Sequence, residues 1–118
     1  MIVNIIFYLG MVGVPHDNIV ASKQSVVGLV CPARSMDCAG ITWTIIGGNF
    51  ISQGMTVTDE YQNKYYVNST GGYCTLYIRL QDMTPIPPIN CVQLTKAQKI
   101  FYVFVTGRIS KLIYLNWQ

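Results

Sequence analysis

The stretch TLYIRLQDMTPIPPINC, residues 75–91, carries the reading of the whole chain. It opens as a strand. Leu76, Ile78 and Leu80 alternate with Tyr77, Arg79 and Gln81, the two-residue period of a chain with one buried face. It then meets Pro85, Pro87 and Pro88 and ends on Cys91. Each proline fixes φ at about −65°, removes a backbone donor and restricts the residue before it. A strand, a stiff corner and a cysteine follow one another, and the cysteine needs a partner.

Similar pieces lie on both sides. In SVVGLVC, residues 25–31, Val27, Leu29 and Cys31 alternate and share one strand face. In GITWTII, residues 40–46, Trp43 and Ile45 share a face and Ile46 points the other way. Beyond Cys91, IFYVFV at residues 100–105 reads as a last strand, with TKAQK before it as a loop. Val, Ile, Thr, Tyr and Phe recur, and no window sustains an i, i+3, i+4 apolar pattern. Short apolar runs bounded by Gly, Pro, Asn, Asp and Ser predict many short strands in a sandwich or barrel.

The chain has 118 residues, enough for one domain with one core. Apolar residues make up 51% and charged residues 11%, which excludes a chain disordered by composition. The net charge of +3 comes from scattered residues with no basic run, so nucleic acid is not an expected partner. No catalytic set assembles. His16 is the single histidine, and Ser22, Ser25 and Ser35 lack a G-x-S-x-G context. The acids are isolated apart from Asp59 and Glu60, which read as a solvated loop. Gly-Gly at residues 47–48 and 71–72 reads as turns, not phosphate-binding loops. No enzyme and no cofactor is expected.

The four cysteines are Cys31, Cys38, Cys74 and Cys91. An even number in a small chain suggests disulfides in an oxidising compartment, and four cysteines allow three connectivities. Close C-x-x-C pairs are missing, so a zinc site is not expected, and buried free thiols in a cytosolic protein are the bland alternative. Asn68 opens the triplet NST, an N-glycosylation sequon beside the glycines of a turn, which favours the outside of the cell. Residues 5–14 are uncharged and have the length of a signal-peptide core. They lack a basic flank and a small-residue cleavage site, so a first β-strand is the equal alternative. No apolar run approaches the ~20 residues of a membrane-spanning helix. A membrane would be reached only through an anchor that these residues do not hold.

Taken together, these pieces resemble the immunoglobulin superfamily, nearer its variable or intermediate set. The resemblance rests on Cys31, Trp43 twelve residues on, Leu76-x-Ile78, and Cys91 fifteen residues after Leu76. KYYVNSTGGYCTLYI, residues 64–78, is similar to the family's D–E hairpin. The match covers about residues 18–106. One departure stands out. The family's E–F corner carries a Tyr two residues before the second cysteine and an Asp four residues earlier, and here Ile89 and Pro85 hold those places. The prolines supply stiffness where the tyrosine's hydrogen bond is missing.

The resemblance implies an all-β, two-sheet Greek-key sandwich over residues 18–107. Residues 1–17 would be a strand or signal-like segment, and residues 108–118 a tail. It implies a bridge from Cys31 to Cys91 packed on Trp43, with Leu76 and Ile78 in the core. Cys38 in the B–C loop would pair with Cys74 at the start of strand E. A C′ strand is expected around residues 49–52. Strands C, F and G lack polar alternation on the face turned from the core. That G-F-C face, with Ile46, Val92, Leu94 and either Tyr102 or its neighbour Phe101, is therefore expected to bind another protein, a homodimer being the first case to test, or else to be covered by the N- or C-terminal segment. The implied role is extracellular recognition or adhesion. A secreted effector or decoy is the alternative, and a cytosolic β-rich structural protein a more distant one.

Overall fold

The structure is a computed structural model that describes residues 13–80 and 85–106. The expectations for residues 1–12, the tail at 108–118 and the start of the proline corner at 81–84 lie outside the described residues.

Among the described residues nine strands form two sheets. They are β1 (His16–Ser22), β2 (Val26–Arg34), β3 (Ile41–Ile45), β4 (Phe50–Gln53), β5 (Thr56–Val57), β6 (Tyr65–Thr70), β7 (Tyr73–Arg79), β8 (Ile89–Gln93) and β9 (Lys96–Thr106). One sheet has the order β1-β9-β8-β3-β4-β5 and the other β2-β7-β6. The family's strands C, F and G are thus β3, β8 and β9, and its C′ strand is β4. All neighbouring strands run antiparallel except β1 and β9, which pair in parallel from His16 opposite Ile100 to Ser22 opposite Thr106.

Alternation decides which side chains meet between the sheets. Along β2, Val27, Leu29 and Cys31 are buried while Val26, Gly28 and Val30 face out. Leu29 sits opposite Leu76 and Val27 opposite Ile78, and β6 adds Tyr65 and Val67. The facing sheet contributes Ile41, Trp43, Ile51, Ile89, Cys91, Phe101 and Val103 to the same core. Trp43 and Phe101 are in contact, with ring centroids 5.7 Å apart.

Several sequence expectations change here. Residues 95–99 are not a loop. β8 turns into β9 through Leu94 and Thr95 alone, and the strand starts at Lys96. A register shift between Cys91 and Val92 absorbs the extra length, as a β-bulge does. β3 ends at Ile45, so Ile46 belongs to the β3–β4 turn. There its N–H donates to Pro88 O at 2.9 Å. β1 opens at His16, inside the stretch assigned to the N-terminal segment.

Candidate functional site

Two bonds tie the core. Cys31 and Cys91 join the sheets with Cα atoms 5.9 Å apart at a sequence separation of 60. Cys38 and Cys74 are bonded with Cα atoms 4.9 Å apart, and all four residues are fully buried. The second bond ties the loop after β2 to the start of β7. That loop is bent tightly, with Asp37 and Cys38 both at positive φ, 54° and 58°. Consecutive left-handed residues other than glycine cost energy and persist only where the surroundings hold them. The bond to Cys74 is such a hold. The indole N–H of Trp43 donates to Cys74 Sγ at 3.4 Å, so Trp43 touches the machinery of both bridges: it lies opposite Cys91 on β8.

The outer face of the six-stranded sheet differs from the face the sequence suggested. Phe101 is 2% exposed and packs in the core, so its neighbour Tyr102 is the outward residue. The contact of Phe101 with Trp43 fixes the phase of the strand: Phe101, Val103 and Val105 point inward, while Ile100, Tyr102 and Phe104 point outward. Leu94 does not sit at the centre of the face. It occupies the β8–β9 turn with φ 59° and 80% exposure. Ile46 lies in the turn at the other end of β8, beside Pro88. Of the residues singled out, Val92 and Tyr102 remain on the outer face of the strands, both half-buried.

Other residues complete that face. Val20 on β1 lies directly opposite Phe104 on β9, and they are 69% and 53% exposed. His16 meets Tyr102 edge-on at 5.8 Å. Across the sheet Phe50 on β4 pairs with Thr44, and the Thr44 hydroxyl donates to Asn90 Oδ1 on β8. The centre is thus a polar pair, with apolar groups toward both sides. Val20 could have been found from the alternation in residues 16–22. Phe50 had no clear signal, because its short strand begins with it.

The outer face of the three-stranded sheet carries a second cluster. Tyr66 on β6 and Tyr77 on β7 lie directly opposite and stack, with centroids 4.8 Å apart and planes at 13°. The Arg79 guanidinium lies 4.7 Å from the Tyr66 ring centre and donates to the carbonyls of Gln62 and Asn63. Gly28 makes room for the Tyr77 ring, since a Cβ there would stand 3.1 Å from Tyr77 Cε1. Asn68 projects from this same face, two residues after Tyr66 and opposite Thr75. Its Oδ1 accepts from the Ser69 N–H at 2.8 Å.

Among the described residues no group of three or more His, Cys, Asp or Glu could hold a metal ion, and no helix is long and apolar enough to cross a membrane.

No family model matches the sequence, and no curated protein matches it. Solved structures do resemble it. The chain is similar to Dpr11 IG1, solved bound to DIP-gamma IG+IG2, with 15% identity and a TM-score of 0.62 over 75% of this chain and 97% of that one. It is similar to Dpr1 IG1, solved bound to DIP-eta IG1, with 16% identity and a TM-score of 0.60 over 80% and 92%. It is also similar to a chain of the ZIG-8-RIG-5 IG1-IG1 heterodimer, with 15% identity and a TM-score of 0.58 over 80% and 84%. With the sheet order and the Cys31–Cys91 bridge beside Trp43, these likenesses make the fold that of an immunoglobulin domain.

Proposed function

We propose that this chain is an extracellular protein-recognition domain. It binds another protein through the outer face of the six-stranded sheet, and a second copy is the first partner to test. The observation that carries the reading is the exposed pair Val20 and Phe104, in register on adjacent strands and continued along β9 by Tyr102. Apolar side chains in register and open to solvent on adjacent strands are costly to leave exposed, and a contiguous apolar patch usually marks an interface. The two disulfides favour an oxidising compartment and weigh against the cytosolic alternative. Support also comes from the similar structures, several of which are complexes between immunoglobulin domains. One further similar chain, with 15% identity and a TM-score of 0.52, is the ZIG-8 IG1 homodimer. Catalysis has no part in the proposal, and the secreted effector or decoy remains its variant on the same scaffold.

Sedimentation of the wild type and of Phe104→Arg tests it. The expected result is a wild-type dimer and a folded monomeric variant. A wild type that stays monomeric at high concentration removes the homodimer and leaves a hetero-partner or a covering terminal segment of the chain. A Phe104→Arg chain that dimerises as the wild type does places the interface elsewhere.

A further inference from the structure

Four turns meet at one end of the sandwich: residues 35–40 between β2 and β3, 54–55 between β4 and β5, 71–72 between β6 and β7, and 94–95 between β8 and β9. Backbone bonds tie them together. Leu94 N–H donates to Gly40 O at 2.9 Å, Gly54 N–H to Ile41 O at 2.8 Å, and Ser35 N–H to Gly72 O at 2.9 Å. The Cys38–Cys74 bond fastens the first of these loops to β7. The two most exposed large apolar side chains among the described residues are here, Leu94 at 80% and Met36 at 79%, and Met55 is exposed beside them. Asp37, Cys38 and Leu94, three of the four described non-glycine residues at positive φ, are here too. A branched apolar residue in the left-handed region and open to water suits neither its backbone nor the core of its own chain. Such local violations gather at functional sites.

We infer that this end touches a lipid surface, with Met36, Leu94 and Met55 entering the apolar edge of an anionic bilayer. The order of the layers fits. Just behind the tips come two exposed cations: Arg34, two residues before Met36, and Lys96, two residues after Leu94. At strand spacing that is at most roughly 7 Å, and the headgroup layer on each side of a bilayer is about 5–8 Å thick. The Arg34 guanidinium lies over the Tyr73 ring, 5.2 Å from its centre, so a cation and a tyrosine share the headgroup level, where both are favoured. Asp37 is the single acid in the four turns, against these two cations. The tips themselves suit a fluid partner. They are flexible aliphatic and thioether chains on separate turns, without the tryptophan or tyrosine anchor that fills a shaped pocket on a protein. Contact of this depth needs no spanning helix. None of these side chains lies on the Val20–Phe104 face, so the inference does not depend on the proposed recognition surface.

The test sediments the full chain, with both disulfides formed, together with vesicles of phosphatidylcholine alone or of phosphatidylcholine mixed with phosphatidylserine. The expected result is binding to the mixed vesicles that weakens as salt is raised, and weaker binding to the neutral ones. Leu94→Ser and Met36→Ser should each lower the partition coefficient about tenfold, since each removes most of one buried aliphatic chain. Met36→Leu should keep it. Asp37→Asn should raise it about fivefold on mixed vesicles, the worth of one charge at such a surface, and asparagine accepts the left-handed backbone. All four variants change exposed residues, so their urea midpoints should stay close to that of the wild type. A chain that binds neither vesicle overturns the inference and leaves these tips to a protein partner. Unchanged binding of the double variant Met36→Ser/Leu94→Ser also overturns it, because the contact then lies elsewhere in the chain. Equal binding to both vesicles overturns the part given to Arg34 and Lys96.

Discussion

The Trp43 indole N–H donates to Cys74 Sγ at 3.4 Å, so the central aromatic of the core is hydrogen-bonded to the disulfide nearer the loop. Trp43 is fully buried, and a buried donor left without an acceptor costs about 1–3 kcal/mol. Replacing Cys38 and Cys74 together by alanine removes a cross-link spanning 36 residues and orphans that donor. The expected loss is about 2–4 kcal/mol from the cross-link, more with the orphaned donor. Adding Trp43→Phe to the double alanine background should then cost less than Trp43→Phe in the wild type. Urea unfolding of the four proteins checks this, and equal costs in both backgrounds would show that the hydrogen bond carries no weight.

Ser52 offers a change in the opposite direction. It is fully buried opposite Trp43, and its Oγ has no hydrogen-bond partner. The hydroxyl is desolvated without compensation, so Ser52→Ala should stabilise by about 0.5–1.5 kcal/mol. A lower unfolding midpoint for Ser52→Ala would mean that the hydroxyl is satisfied in solution.

Tyr65 makes stability depend on pH at the alkaline end. Burial, with the nearby Tyr61 as a second cause, pushes its phenol up from 10.0 to about 12. In the unfolded chain the same phenol ionises near its ordinary value. Between these two limits the unfolded state holds fewer protons than the folded one, so stability falls as pH rises. The contribution is fully present below pH 10 and is lost at up to about 1.4 kcal/mol per pH unit toward pH 12. Tyr65→Phe should remove that slope while other groups keep theirs. Chemical unfolding of both proteins at pH 9 and pH 11.5 decides the matter, and parallel declines would refute it.

Leu94 is the fourth case. Its φ of 59° places a branched side chain in the left-handed region, at about 1–2 kcal/mol, while 80% exposure means that little packing is at stake. A two-residue hairpin turn with positive φ at its first position favours glycine. Leu94→Gly should therefore be neutral or stabilising by up to about 1 kcal/mol, glycine's larger unfolded-state entropy offsetting part of the gain. A clear loss of stability would show that Leu94 packs on the loop at Gly40 more firmly than its exposure implies.

These cases show where the sequence was informative. Period-two alternation placed Leu29, Cys31, Trp43, Leu76 and Ile78 in the core, because a buried strand face selects apolar residues and nothing else competes. The cysteine spacing, read through the family resemblance, led to the two bonds found. The binding face was less legible. β9 is apolar on both faces, so alternation could not say whether Phe101 or Tyr102 points out, and the answer came from which ring packs on Trp43. Leu94 looked like a strand residue because leucine carries no turn signal. Its turn is imposed by the pairing of Gln93 with Lys96, which sequence alone does not display.

The parallel pairing of β1 with β9 has a mechanical consequence. The chain enters β1 at His16, beside Ile100, and leaves β9 at Thr106, beside Ser22. Tension applied through the two ends of the domain therefore acts along the ladder in opposite senses on its two strands. The seven registered pairs, flanked by the bonds from Ile100 N–H to Pro15 O and from Lys23 N–H to Thr106 O, bear that load together instead of opening one after another. Forced rupture is governed by the unfolding barrier rather than by equilibrium stability. A domain strung between two pulling points in this way resists in shear, and the Cys31–Cys91 bond keeps the sheets joined even after the ladder has slipped.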